Sequence, residues 1–170
     1  MNIFYTDPNP LIAADQHCTI HNRKMIIEYA QLLSTAHHLL DGDQAVEGIY
    51  KCTHKNHPSA IWCRSGQYQY EWVLDCAMRL CKLYTQHTGK IHKTQTTLEK
   101  LRTLPKNLPL IEWTDPPLAA PDKFKMQMIL GLDICKAYQA YLLEKFDEWR
   151  TRTDSRPMIA EWWIVPEWVK

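Results

Sequence analysis

His17, His21, Lys24 and Glu28 fall at i, i+4, i+7 and i+11 within the stretch from Ala14 to Leu33. If that stretch is one helix, the spacing stacks four ionisable side chains on one face. Gln31 and Thr35 continue the line, and the six residues cover an arc of about 80° at 100° per residue. Ile26, Tyr29, Leu33 and Ala36 lie on the far side, so the stripe edges a face expected to be buried. The plain reading is a solvated face, with Lys24 and Glu28 paired across one turn. The chemical reading is a pocket wall, in which His, Lys and Glu shift one another's pKa toward neutrality, as acid–base work needs. In that reading Lys24 is an amine nucleophile, Glu28 the general acid/base, and His17 and His21 position the substrate.

A second cluster, His54, Lys55, Asn56 and His57, stands in "THKNHP", just before a helix start. Polar heads in a loop at a helix N-terminus suit an anion such as phosphate, and a fixed turn is the simpler alternative. "HTGKIHKT" from His87 holds Lys90 and Lys93 but lacks the rest of a phosphate-loop pattern, so it reads as a turn with basic phosphate contacts. His17 with His21, and His54 with His57, have plausible metal-ligand spacing. There is no H-E-x-x-H and no C-x-x-C, so neither a metal nor another cofactor is expected.

The formal charge is +1, unevenly spread. Residues 1–50 carry two basic and six acidic groups, residues 51–106 ten and three, and residues 107–170 eight and ten. A basic centre between acidic ends is what a polyanion footprint requires, although a solvated face has the same composition. DNA or a nucleotide is therefore the expected partner. Arg23, His54, Lys55, Asn56, His57, Arg64, Lys90 and Lys93 are the candidate contacts. No apolar run approaches a membrane span, and no leader-like basic and apolar start is visible. Cys18, Cys52, Cys63, Cys76, Cys81 and Cys135 read as free thiols of a reducing compartment, which points to the cytoplasm.

The elements that must position these residues are helical. The 170 residues read as one all-α domain of three long helices plus one or two short ones. The first long helix is predicted from about Leu11 or Asp15 to Leu40, stopped by Asp41-Gly42-Asp43. The second runs from Pro58 and Ser59 to about His87, with Gly89 ending it. A short helix follows around Thr96–Leu104. Five prolines in residues 105–121 forbid a regular helix and predict a fixed loop crossing the fold. The last long helix is predicted from Asp122 to about Arg152, with Trp149 on its inner face. Trp162, Trp163 and Trp168 are expected to cover a core or line a groove.

The first-helix text, with Asp15, His17, His21, Lys24, Met25 and Glu28 followed by "AQLL", resembles a widespread family of small phage proteins. That family's helix reads approximately C-D-K-H-V-x-K-M-x-x-E, and "THKNHP" resembles it too. More remotely, the layout is similar to the phage pyrimidine-dimer DNA glycosylase family, which is small and all-helical. The shared residues are "ADQH" at Ala14–His17, Arg23 six residues after His17, and Pro166-Glu167-Trp168 near the C-terminus. That family attacks the sugar with its N-terminal α-amine, and its glutamate directly follows the arginine. Here Asn2 is a poor context for removing Met1, Lys24 follows Arg23, and Glu28 comes one turn later. The resemblance thus implies the fold and DNA docking rather than that mechanism.

Three functions follow as expectations. The first is a phage enzyme acting on a modified pyrimidine base in DNA, glycosylase- or lyase-like, with the base flipped out and stacked on Tyr68, Tyr70, Trp62 or the C-terminal tryptophans. The second is a transferase that decorates thymine in phage DNA, amino acid to DNA, with the stripe activating an amine. The third is a non-enzymatic nucleotide- or DNA-binding module acting against a host defence.

Overall fold

A computed structural model describes residues 1–170, the side chain of Gln127 excepted. The described chain is all-helical, without a strand. The α-helices are α1 (Pro10–Asp15), α2 (Thr19–Asp41), α3 (Pro58–Cys63), α4 (Gln67–Thr88), α5 (Gln95–Lys100), α6 (Asp122–Ile129) and α7 (Ile134–Thr151). The three long ones are α2, α4 and α7, as the periodicity predicts. Each is shorter than expected at its N-terminal end, because each predicted helix is broken once.

The first break lies at residues 16–18. Asn9 caps α1 by accepting from Leu11 N, Pro10 opens it, and Cys18 leaves the helical region before α2 begins. The backbone groups freed there are taken up by the C-terminal tail. Trp162 Nε1 donates to Gln16 O at 3.1 Å, Thr19 N donates to Glu161 O at 2.7 Å, and Trp168 Nε1 donates to Gln16 Oε1 at 3.1 Å. The second break separates α3 from α4 at Gly66. A Cβ there would lie 2.5 Å from Ile111 Cγ1, because the crossing loop passes directly over it. The third lies at Leu130–Asp133, where Gly131 takes φ +91° and Asp133 caps α7 by accepting from Cys135 N and Lys136 N.

The proline-rich segment is the predicted crossing loop. Gln67 N donates to Pro109 O, Trp62 Nε1 to Thr114 O and Gln69 Nε2 to Glu112 O, which fixes it on α3 and α4. Tyr138 of α7 donates to Pro117 O at 2.7 Å, which fixes its far end. The core gathers around α2, which packs chiefly on α4. Past Glu28, α2 is buried almost all round, and Ser34, Thr35 and His37 each engage a partner, although His37 Nδ1 has none. Ser34 donates to Ala30 O, Thr35 to Thr53 O, and His37 Nε2 lies 3.0 Å from the Tyr70 hydroxyl. Residues 2–6 run through this core as a non-helical segment, with Ile3, Phe4 and Tyr5 all buried. Sequence reading assigned that segment no structural part.

Candidate active site

Glu28 is the centre of the arrangement. Lys24, one turn earlier on α2, places Nζ 3.2 Å from Glu28 Oε1. From the other side the Met1 amine lies 3.7 Å from Oε2, and Asn2 N donates to the same oxygen at 3.2 Å. Asn2 holds that register because its Nδ2 donates to Ala119 O while its Oδ1 lies 3.2 Å from the Tyr138 hydroxyl. The carboxylate is 13% exposed and the Lys24 side chain 65%, so Lys24 stands at the rim and is not the buried amine a nucleophile pocket would favour.

These groups open on a cavity of about 360 Å³. Ile20, His21, Lys24, Met25 and Glu28 form its α2 wall, Met1, Asn2 and Phe4 its floor, and Tyr141, Lys145 and Trp149 its α7 wall. Lys145 Nζ lies 5.5 Å from the Tyr141 ring centroid and 5.8 Å from that of Trp149. The cavity therefore combines aromatic faces, two lysines and an α-amine with a single carboxylate. That combination suits a planar ring carrying a nearby anionic group.

The two histidines of the stripe behave differently from the expectation. His17 is not on α2 but in the turn before it, and it does not line the cavity. Its Nδ1 lies 2.7 Å from Ala13 O, so Nδ1 carries the proton and Nε2 accepts from the Tyr29 hydroxyl at 3.3 Å. The Tyr29 oxygen in turn accepts from Phe4 N at 3.2 Å. His17 thus ties α1, α2 and the N-terminal segment together. His21 does line the cavity, with Phe4, Phe146 and Trp149 at ring distances of 4.5, 5.5 and 5.0 Å. Burial pushes the His17 ring down to about 4. Burial, with smaller contributions from His17, Lys145 and Lys24, pushes His21 down to about 2. Both are neutral imidazoles near pH 7. The histidine pKa values therefore do not sit near neutrality as expected, because burial lowers both rings and the cations near His21 lower it further.

The "THKNHP" loop meets the same helix. Thr53 N donates to Thr35 Oγ1 at 3.1 Å while Thr35 donates back to Thr53 O, two turns beyond Glu28. His57 caps α3, its Nδ1 accepting from Ser59 N. Burial first, then the positive charges of the Met1 amine and His54, lower its pKa against the pull of Glu28, so it sits within electrostatic reach of the site. It is not a cavity wall, and neither is His54, Lys55 or Asn56, which are exposed on the loop. His54 adopts φ +47°, accommodated by a turn closed from His57 N to His54 O.

The remaining basic candidates lie elsewhere. Lys90 and Lys93 line a separate cavity of about 540 Å³ with Tyr50, Tyr84 and Ile27. Ile27 is adjacent to Glu28 in sequence and one turn after exposed Arg23, so that cavity borders α2 on its next face. Arg64 is half-buried at the end of α3. Of the proposed stacking residues, Tyr70 and Trp62 are buried core, whereas Tyr68 is exposed. Trp163 stacks on His87 at 4.7 Å, and Trp162 packs against Phe146.

Sequence reasoning missed Met1, Phe4, Tyr141 and Lys145 as wall residues. Tyr141, Lys145 and Trp149 recur every four residues on α7, which is a helical face a wheel would have found. No family model, curated protein or solved structure matches the chain.

Proposed function

We propose that the protein is a phage enzyme of the host cytoplasm that acts on a modified pyrimidine base in DNA, glycosylase- or lyase-like, with an amine nucleophile activated by Glu28. The observation that carries this reading is a carboxylate flanked by two amines on the wall of an aromatic cavity. Glu28 takes a proton from one amine, whose lone pair then bonds to C1′ of the nucleotide. The bond from C1′ to the base nitrogen breaks, its electron pair leaves with the base, and the base takes the proton from Glu28. The nitrogen then gives up its second proton to the carboxylate as the bond from C1′ to O4′ breaks and O4′ is protonated. A Schiff base to the sugar remains. Tyr141, Trp149 and Phe4 supply the faces on which a flipped base stacks, and Lys145 a cation for the flanking phosphate.

Lys24 is the nearer amine and the Met1 amine the more enclosed one. Borohydride reduction of the protein mixed with duplex DNA carrying a modified thymine tests the reading, since it converts a Schiff base into a stable adduct. Peptide mapping of the adduct names the nitrogen. Loss of trapping in Lys24→Ala assigns Lys24, and loss on extending the chain ahead of Met1 assigns the α-amine. No adduct, with DNA or a nucleotide retained unchanged, refutes the enzyme and leaves the binding module.

A further inference from the structure

A second cavity, of about 510 Å³, lies on the other side of the N-terminal segment. Phe4 faces the Glu28 cavity, whereas Tyr5, the next residue, faces this one. Tyr68 and Trp113 supply most of its open aromatic surface, with the buried rings of Tyr5 and Trp72 behind them, and Glu71 and Asp75 its charge. The rings are held in place. Tyr5 lies 5.2 Å from Trp72 and 6.1 Å from Trp113 by ring centroids. Trp72 Nε1 donates to Pro8 O, and Trp113 Nε1 to Asp115 Oδ1. Both indole donors are thus already engaged, and what the indoles have left to offer a ligand is π surface.

Glu71 and Asp75 are one turn apart on α4, so both lie on the same face. Glu71 accepts from Gln67 Nε2 at 2.8 Å, and neither carboxylate forms a salt bridge among the described residues. Arg102 is the cation whose charge reaches Asp75, and it is itself paired with Glu99 at 2.8 Å. Burial and the Glu71 charge raise the Asp75 pKa, and the Arg102 charge offsets only part of that rise. Asp115 and Asp133 add negative potential at Tyr5.

Hard metal ions call for a shell of oxygen ligands, and two carboxylates beside four aromatic rings are a poor one. Anions are repelled. Aromatic faces with adjacent carboxylates instead match a cation whose charge is spread over alkyl groups. We propose that this cavity is a binding site for an organic cation of the alkylammonium class. The argument is independent of the reaction at Glu28.

Choline is the probe, followed by tryptophan fluorescence and by indole N–H signals in NMR. The expected result is saturable binding in about the millimolar range. The uncharged carbon analogue of choline, 3,3-dimethylbutanol, is expected to bind at least about tenfold more weakly to the unaltered protein. Asp75→Asn and Tyr68→Leu alter exposed side chains, and each is expected to weaken choline about three- to tenfold with the far-ultraviolet circular dichroism unchanged. Equal binding of choline and its neutral analogue would overturn the proposal. So would unchanged choline affinity in the folded Glu71→Gln/Asp75→Asn double variant, or no saturable response up to about 50 mM.

Discussion

His21 sits two turns from Glu28 with aromatic rings around it, and His17 is sealed between Ala13 and Tyr29. Both rings have folded-state pKa values below the unfolded value near 6.5, so the fold requires the neutral form. Their contribution to stability is complete above pH 6.5. It is lost as pH falls toward 4 for His17, and further still for His21. For His17 alone the loss by pH 4 is on the order of 3 kcal/mol. Thermal melts from pH 7 to pH 4.5 should show a steep fall, and His21→Phe, which keeps the ring packing, should remove about half of it, since His17 titrates over the same window. A melting temperature constant over that range would contradict the burial argument. Glu28→Gln removes the acceptor that both amines share, and should reduce adduct formation by at least about a hundredfold while DNA still binds. Parallel trapping and gel-shift assays would read both. Lys24, His21 and Glu28 were legible as one wall because helical spacing survives folding. His17 was lost from it because the helix breaks where the tail supplies partners, which no local pattern announces. Met1 and Phe4 come from ahead of α1 and Lys145 from more than a hundred residues past Glu28, and only packing brings them together.

The elements divide into starts that the sequence marks and breaks that it marks more faintly. Gly42 and Gly89 end α2 and α4 where expected, and Pro10 and Pro58 open α1 and α3. Gly131 followed by Asp133 is a stop and a cap in plain sight, yet the apolar stripe running on to Trp149 obscures it. Asp133→Ala removes an acceptor shared by two backbone N–H groups and should cost about 1 kcal/mol, measurable as a shift in urea midpoint. Gly66 is a different kind of break, since its reason is a neighbour from a distant loop. Gly66→Ala should destabilise by about 1–3 kcal/mol through overlap with Ile111 and Gln69. Ile111→Ala should recover part of that loss in the double variant. Strict additivity of the two would show that the loop does not press on Gly66.

At the scale of the molecule, the excess positive charge of residues 51–106 does not collect in one cavity. Lys55 stands on the loop tied to Thr35, while Lys90 and Lys93 line a hollow bordering Ile27, so the two groups flank α2. If these cations track a DNA backbone, affinity should fall steeply with salt. Lys55→Ala and Lys90→Ala should each reduce the slope of log affinity against log salt by about one unit. Lys24→Ala should keep most of the affinity, and it abolishes chemistry where Lys24 rather than the Met1 amine is the nucleophile. Gel-shift titrations at several salt concentrations give both quantities, and salt-independent binding would redirect attention to a small nucleotide. The all-α class was legible from periodicity, and no helix is long and apolar enough to cross a membrane. The threading of residues 2–6 through the core was not legible, since a short apolar stretch has no period to read.

That threading has a consequence for how the protein is made. Asn2 and Thr6 bond to Tyr138 and Gln139, and Gln16 and Thr19 bond to Trp162 and Glu161. Each of these pairs is separated by most of the chain, so the loops they close are among the largest available to it. On a ribosome the first residues meet Glu28, Tyr29 and Trp72 early, but their partners on α7 only once that helix has emerged. The opening segment, Ile3-Phe4-Tyr5, would meanwhile be exposed to any chaperone that binds short greasy stretches. The Glu28 cavity, whose floor is that same segment, would then be completed only after synthesis of α7. A nascent chain stalled before Ile134 would carry the α2 stripe but no closed site.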